Sequence, residues 1–191
     1  ASEMDGGYFV TGYSDRSKGH RGMTAFFLPI NQEGVEITKR FDNMGRMAIS
    51  TGGFKMTDVE VPEEYQLGDT NRGFYYTMEG FDAARVLVSA SCLGAAERAM
   101  EVGMDYIKDR EAFGQPLAMY QGIQFDLADM AAHHEAIKSL VYRTAWMLDQ
   151  KYQHDTFTAL EVAKYIAMCK YLAPHHALDT FRRVMYWLGA Y

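Results

Sequence analysis

Apolar and polar positions along this chain change their period once, near residue 70. Before that point the apolar residues fall in short runs broken by turn residues. Tyr8-Phe9-Val10-Thr11-Gly12-Tyr13 is rich in strand formers and gives way to a polar loop over 14–19. Met23-Thr24-Ala25-Phe26-Phe27-Leu28-Pro29-Ile30 reads as a buried strand, stopped by Pro29 and by Asn31-Gln32-Glu33-Gly34. Val35-Glu36-Ile37-Thr38 alternates as a half-buried strand does, and 52–62 alternates again and ends at Pro62. Short strands at this spacing predict a small β-barrel or sandwich over 1–70. Asp69-Thr70-Asn71-Arg72-Gly73 is a loop, with Thr70 or Asn71 placed to cap a helix starting near Phe74. From Phe74 onward the period is helical. Leu93, Ala96, Met100, Met104 and Ile107 form one stripe, and Ile123, Leu127, Met130, Ile137, Leu140 and Leu148 form a second. A third runs from Thr156 through Leu160, Ala163, Ala167 and Met168, and Pro174 is expected to interrupt or kink it. A fourth covers Ala177, Phe181, Val184, Met185 and Leu188 and is stopped by Gly189. Long helices joined by short polar turns, such as 149–155, predict an antiparallel up-down α-helical bundle over 71–191. The expected fold class is therefore multidomain α and β: a β-module, then a bundle.

Composition narrows the function classes. The chain has 191 residues, of which 48% are hydrophobic, enough for a substantial core. A net charge of -6 argues against nucleic acid as the main partner, because tracking phosphates needs a basic surface. No apolar run reaches the length of a membrane span, and no leader is expected within the sequence. Cys92 and Cys169 lie in helical patterns without CxxC spacing and suit a reducing compartment as buried small hydrophobes. There is no repeat and no low-complexity segment. The chain opens on Ala1-Ser2-Glu3 and closes on Tyr191 just after a Leu-Gly-Ala turn, so both ends are expected to be cuts.

Several chemistries are missing. His133-His134 and His175-His176 are adjacent pairs, which diverge by about 100° on a helix and cannot chelate as residues at i, i+4 do. One His of each pair is expected at a packed boundary and the other in solvent, with no metal site. Ser89 and Ser91 lack a GxSxG elbow, and no phosphate-cradling GxxxxGK[ST] loop is present. Asp126, Asp129 and Glu135 could lie near one helix face, but they are expected to be solvated. The 13 methionines are expected to fill core positions. What remains is the junction Lys108-Asp109-Arg110-Glu111-Ala112-Phe113-Gly114-Gln115-Pro116-Leu117 between two helical patterns. It puts a guanidinium at a helix end beside a turn, where it can meet an anionic group. Phe113 can lie against a planar ligand or plug a core.

In order, the segments resemble the acyl-CoA dehydrogenases, flavoenzymes that oxidise the α,β bond of acyl-CoA thioesters. Asn43-Met44-Gly45, Ser50-Thr51 and 54–62 are similar to the end of that family's middle β-domain, and Leu67-Gly68 with Gly73-Phe74 to its linker. Phe81-Asp82-Ala83-Ala84-Arg85 and Leu93-Gly94-Ala95-Ala96 resemble the first long helix of its C-terminal bundle. Residues 109–117 with Tyr120-Gln121 resemble the family's most recognisable segment, and Asp126-Leu127-Ala128-Asp129-Met130 comes next, in family order. The resemblance implies a chain that begins inside the β-domain and ends inside the bundle.

The resemblance also implies roles. Arg110 would reach the FAD pyrophosphate, often of a neighbouring subunit. Glu111, Ala112 and Phe113 would lie in the same cofactor segment, with Gln121 binding the nucleotide and Tyr120 beside it. Tyr186, Trp187, Leu188, Gly189 and Ala190 would form a second cofactor strip, although Gly189-Ala190 stands where the family has Gly-Gly. Asp82 and Arg85 would lie near the CoA pantetheine; they also share a helix face and can bond each other. The family's catalytic Glu stands either before the helix Arg, which here is Ala84, or beyond Tyr191. No catalytic residue is therefore expected within the chain. The implied function is FAD-dependent α,β-dehydrogenation of an acyl-CoA, with an electron-transfer flavoprotein as acceptor, in a homotetramer of the cytoplasm or the mitochondrial matrix. The alternatives are an acyl-CoA oxidase or flavin monooxygenase of the same fold, or a non-catalytic relative.

Overall fold

A computed structural model describes residues 6–45 and 48–190. The chain divides into two compact units, Ala1–Glu79 and Gly80–Tyr191.

In the first unit, β1 (Gly7–Tyr13), β2 (Met23–Pro29) and the short β5 (Gln66–Leu67) form an antiparallel sheet in the order β1-β2-β5. Tyr8 stands opposite Leu28 and Val10 opposite Phe26. Thr24, Ala25 and Leu28 are the buried centre of β2. A second antiparallel pair joins β3 (Val35–Arg40) to β4 (Gly52–Met56). The rings of Tyr8 and Phe54 stack at 4.4 Å and connect the sheets. Among the described residues the strands form two open sheets, not a closed barrel. The strand expected to run to Pro62 ends at Met56, because Asp58 takes φ 50 and turns the backbone out of the ladder. Neither expected cap forms as such. The Oδ1 of Asn71 has no partner among the described residues, and its backbone amide donates instead to the Thr24 hydroxyl at 2.9 Å.

The second unit is helical, and its first helix begins within the last residues of the first unit. The long helix α1 (Gly73–Asp109) is followed by the two short strands β6 (Glu111–Ala112) and β7 (Gln115–Pro116). Then come α2 (Gln121–His154) and α3 (Ala159–Leu188). The helices run up, down and up. Met100 and Ile107 near the end of α1 pack on Met130 near the start of α2, and on Val184 and Trp187 near the end of α3. Val86 and Leu93 on α1 meet Val141 and Leu148 on α2 and Val162 and Ile166 on α3. At Gly103 a Cβ would come within 3.0 Å of the Trp187 ring, so the missing side chain is what lets α1 approach α3 there. The free thiol of Cys169 is fully buried, and that of Cys92 is half-buried. No helix is long and apolar enough to cross a membrane among the described residues.

Two readings of the helical stretch need correction. The third and fourth patterns form one helix, with Pro174 inside α3. Proline costs about 3 kcal/mol in a helix interior. Here the buried stripe continues straight through it, from Val162, Ile166, Cys169 and Ala173 to Ala177, Thr180, Val184 and Trp187, and that packing outweighs the lost bond. Gly189 does end the helix, with its amide donating to the Met185 carbonyl at 3.1 Å. The methionines are only partly core. Met100, Met130 and Met147 are buried, whereas Met44, Met119 and Met185 face outward.

His134 and His176 are buried, while His133 and His175 are exposed. The two buried rings meet across α2 and α3, with Nε2 of His176 3.3 Å from Nδ1 of His134. One ring must donate and the other accept, so the accepting imidazole is neutral. Burial, then the neighbouring His134 and His133 rings, lower the pKa of His176 from its usual value, against the opposing pull of Asp179. A lowered histidine pKa means that the unfolded chain binds the proton first as pH falls.

Stability should therefore be full above about pH 6.5 and decline as pH falls below it towards the lower folded value. Denaturant titrations of wild type and His176→Gln from pH 7.5 to 5 should show a shallower acid slope in the variant; equal slopes contradict this reading. Pro174→Ala should stabilise the fold by about 1–3 kcal/mol, and a lower melting temperature would show that the proline fits its helix without cost.

Candidate functional site

The junction between α1 and α2 is a hairpin built on a helix end. The amide of Arg110 still donates to the Tyr106 carbonyl at 2.9 Å, as the last rung of the α1 ladder. Its carbonyl accepts from the Leu117 amide at 2.8 Å, which closes the base of the hairpin. Between them Glu111 pairs with Pro116 and Ala112 with Gln115. The two turn residues, Phe113 and Gly114, have φ 51 and φ 85. Positive φ at both centres is the type I′ turn, whose twist matches the flanking strands and which favours Asn-Gly. Gly114 takes this conformation without strain, but a phenylalanine does so only at a cost. Pro116 fits the end of β7, leading through a short turn at Leu117–Met119 into α2.

The ring of Phe113 receives no packing in return. It is 99% exposed, so the core-plug reading is excluded within this chain. Arg110 is exposed as well, and its guanidinium has no carboxylate partner among the described residues although Asp109 and Glu111 flank it. Three other bundle arginines pair with carboxylates, whereas Arg143 meets the Tyr165 hydroxyl and ring and Arg182 is exposed. Arg85 bonds Asp82 at 2.8 Å, and Arg98 bonds Glu101 at 2.8 Å. Arg183 is held by Asp126 and Asp129 at 2.8 Å and by Asp179 at 2.9 Å. Asp126 and Asp129 stay partly in solvent, as expected, and their charge also ties α2 to α3. The signal was tertiary, since Arg183 lies 54 positions or more away in sequence.

The remaining predicted residues divide between two places. Glu111, Ala112, Tyr120 and Gln121 lie with Arg110 and Phe113 on the hairpin and the start of α2. Tyr186 is 83% exposed near the end of α3, with Gly189 and Ala190 exposed beyond it, whereas Trp187 turns into the core. Asp82 and Arg85 lie on α1, where Arg85 also covers the ring of Phe81 at 5.9 Å. From Arg85 to Arg110 the helix rises roughly 37 Å at 1.5 Å per residue. The structure therefore separates the pair from the hairpin. Ala84 is exposed and carries no proton acceptor. The groove between α1 and α2, about 290 Å³, is lined by apolar side chains and by Glu97, His134 and Lys138. Lys138 is 3.3 Å from Glu97, so this groove presents no convergent reactive set. No cluster of side chains that could hold a metal is present among the described residues.

Comparison with known proteins fixes the class. The family model described as acyl-CoA dehydrogenase, C-terminal domain, matches residues 71–191. The chain belongs to the acyl-CoA dehydrogenase family. It is 40% identical over 138 residues to the CarC subunit of the caffeyl-CoA reductase–Etf complex of Acetobacterium woodii, which covers 72% of this chain and 36% of that protein. It is 38% identical over 163 residues to the short-chain specific acyl-CoA dehydrogenase of Megasphaera elsdenii, covering 84% of this chain and 43% of the relative. The solved butyryl-CoA dehydrogenase of Megasphaera elsdenii superposes with a TM-score of 0.88 at 34% identity, over 97% of this chain and 46% of that one. The chain thus spans less than half the length of these relatives.

The strained, uncovered ring gives a direct test. Phe113→Asn should leave the fold as stable or raise its stability by up to about 1 kcal/mol, because asparagine tolerates the left-handed region better. A clear loss of stability in denaturant titration would show that the ring packs within the chain after all.

Proposed function

We propose that this chain is part of an FAD-dependent acyl-CoA dehydrogenase and that its hairpin at Arg110–Phe113 holds the flavin nucleotide. One observation carries the reading: a guanidinium without a carboxylate partner stands beside a fully exposed aromatic ring on a strained turn. Family membership supplies the context. The residues fit such a group. The planar, permanently charged fork of Arg110 suits a diphosphate, Phe113 offers a flat apolar face, and Gln121 opens α2 with donors and an acceptor. Tyr186, Gly189 and Ala190 are exposed and available as a second contact strip. The chemistry that FAD supplies when bound is acceptance of a hydride from the β-carbon of the acyl thioester.

The chain's own residues have narrower tasks. Asp82 and Arg85 brace one another on α1 and would line the path of the pantetheine. The α-proton must go to a base. Ala84 cannot take it, so we assign the base to a part of the full protein outside this sequence. Arg85 and Arg110 lie roughly 37 Å apart along α1. A second copy would then bring its hairpin to this copy's flavin, which favours a homo-oligomer, with a homotetramer as the expected form. An electron-transfer flavoprotein is the proposed acceptor, supported by the Etf complex to which the Acetobacterium woodii relative belongs. Cytoplasm or mitochondrial matrix would suit such an enzyme. The same likeness favours a second reading, in which the reaction runs as reduction of an α,β-unsaturated acyl-CoA.

The test is flavin retention in the full-length protein. Arg110→Lys keeps the charge but loses the bidentate fork, and should weaken FAD binding about ten- to a hundredfold in a titration of the apoprotein. Unchanged affinity, or a purified wild type without flavin, overturns the reading.

A further inference from the structure

Tyr120 stands beside the proposed cofactor contacts, yet its hydroxyl is committed inside the chain. It donates to the Ala112 carbonyl at 2.6 Å, a short bond for two neutral groups. The backbone of the same residue begins α2. Its carbonyl accepts from the amides of Ile123 at 3.0 Å and Gln124 at 3.1 Å, and its own amide donates to the Leu117 carbonyl at 3.1 Å. One residue thus ties the start of a 34-residue helix to the strand that leads into the turn. The turn needs such a tie. Its ladder consists of two residue pairs, Glu111 with Pro116 and Ala112 with Gln115, and so short a hairpin is marginal by itself. Its tip also holds Phe113 in the left-handed region.

The hydroxyl has a single proton, and Ala112 takes it. Towards a diphosphate Tyr120 could then present only lone pairs, which the anionic oxygens would repel. We infer that Tyr120 is a positioning residue, which acts through the Ala112 carbonyl to hold the turn so that Arg110 and Phe113 meet the flavin nucleotide in one fixed geometry. This rests on the hairpin being a flavin contact. The hydroxyl fixes the turn before binding, so less order has to be imposed when the ligand arrives.

Tyr120→Phe removes the tie and keeps the ring. In the full-length, flavin-loaded protein it should weaken FAD binding about three- to tenfold. It should also alter the visible circular dichroism of the bound flavin and speed amide exchange over 111–117, while the melting temperature of the apoprotein stays at the wild-type value. Wild-type affinity and dichroism in the variant overturn the inference, and so does a fall in melting temperature that accounts for the lost affinity. If the wild type binds flavin and Arg110→Lys weakens it while Tyr120→Phe does not, only the positioning role falls. If the wild type binds no flavin, the hairpin reading falls and takes this inference with it.

Discussion

A helix end that keeps its last rung while the chain reverses is the constraint on which the rest depends. Arg110 satisfies its amide within α1 and its carbonyl across the hairpin, so its backbone is fully used and its side chain is left to face outward. The reversal is tight enough to force a phenylalanine into a conformation suited to asparagine or glycine. Strain of that kind persists only where surrounding structure fixes it, and here the Leu117 and Tyr120 bonds do so. Elsewhere in the bundle Arg85, Arg98 and Arg183 pair with carboxylates, whereas Arg110 at the hairpin does not among the described residues.

The bundle supports the hairpin from below. Met100, Ile107, Met130, Val184 and Trp187 gather the end of α1, the start of α2 and the end of α3 into one cluster directly below it. Arg183 reaches across from α3 to Asp126 and Asp129 in the first turns of α2, so both packing and charge fix the helix that carries Tyr120 and Gln121. The Asp82–Arg85 pair belongs to the far end of α1 and is served by a different cluster. That division along one long helix sets the pair and the hairpin at opposite ends of the bundle.

Much of this was legible in the amino-acid order. The change of period near residue 70, the breaks at Gly114–Pro116 and the stop at Gly189 are local signals, and local chemistry decides them. The histidine pairs were also readable, because adjacent residues on a helix cannot share one environment: His134 and His176 are buried, His133 and His175 are not. The unreadable part is tertiary. Pro174 looks like a break until the buried stripe on either side of it is seen to pack without interruption. Nothing in the spacing shows that Asp126 and Asp129 meet Arg183 from another helix. The Phe113 ring could have been a plug or a platform, and only its 99% exposure separates the two within this chain. The meeting of His134 with His176, and of Tyr120 with Ala112, depends on how helices and turns are set against each other, which no spacing rule encodes.

The most direct measurement is a crystal structure of the full-length protein with its flavin. The account predicts the Arg110 guanidinium at about 2.7–2.9 Å from two oxygens of the cofactor diphosphate, the spacing of a charge-assisted fork, with the flavin belonging to a neighbouring copy. A diphosphate bound elsewhere, with Arg110 still in solvent, would contradict it.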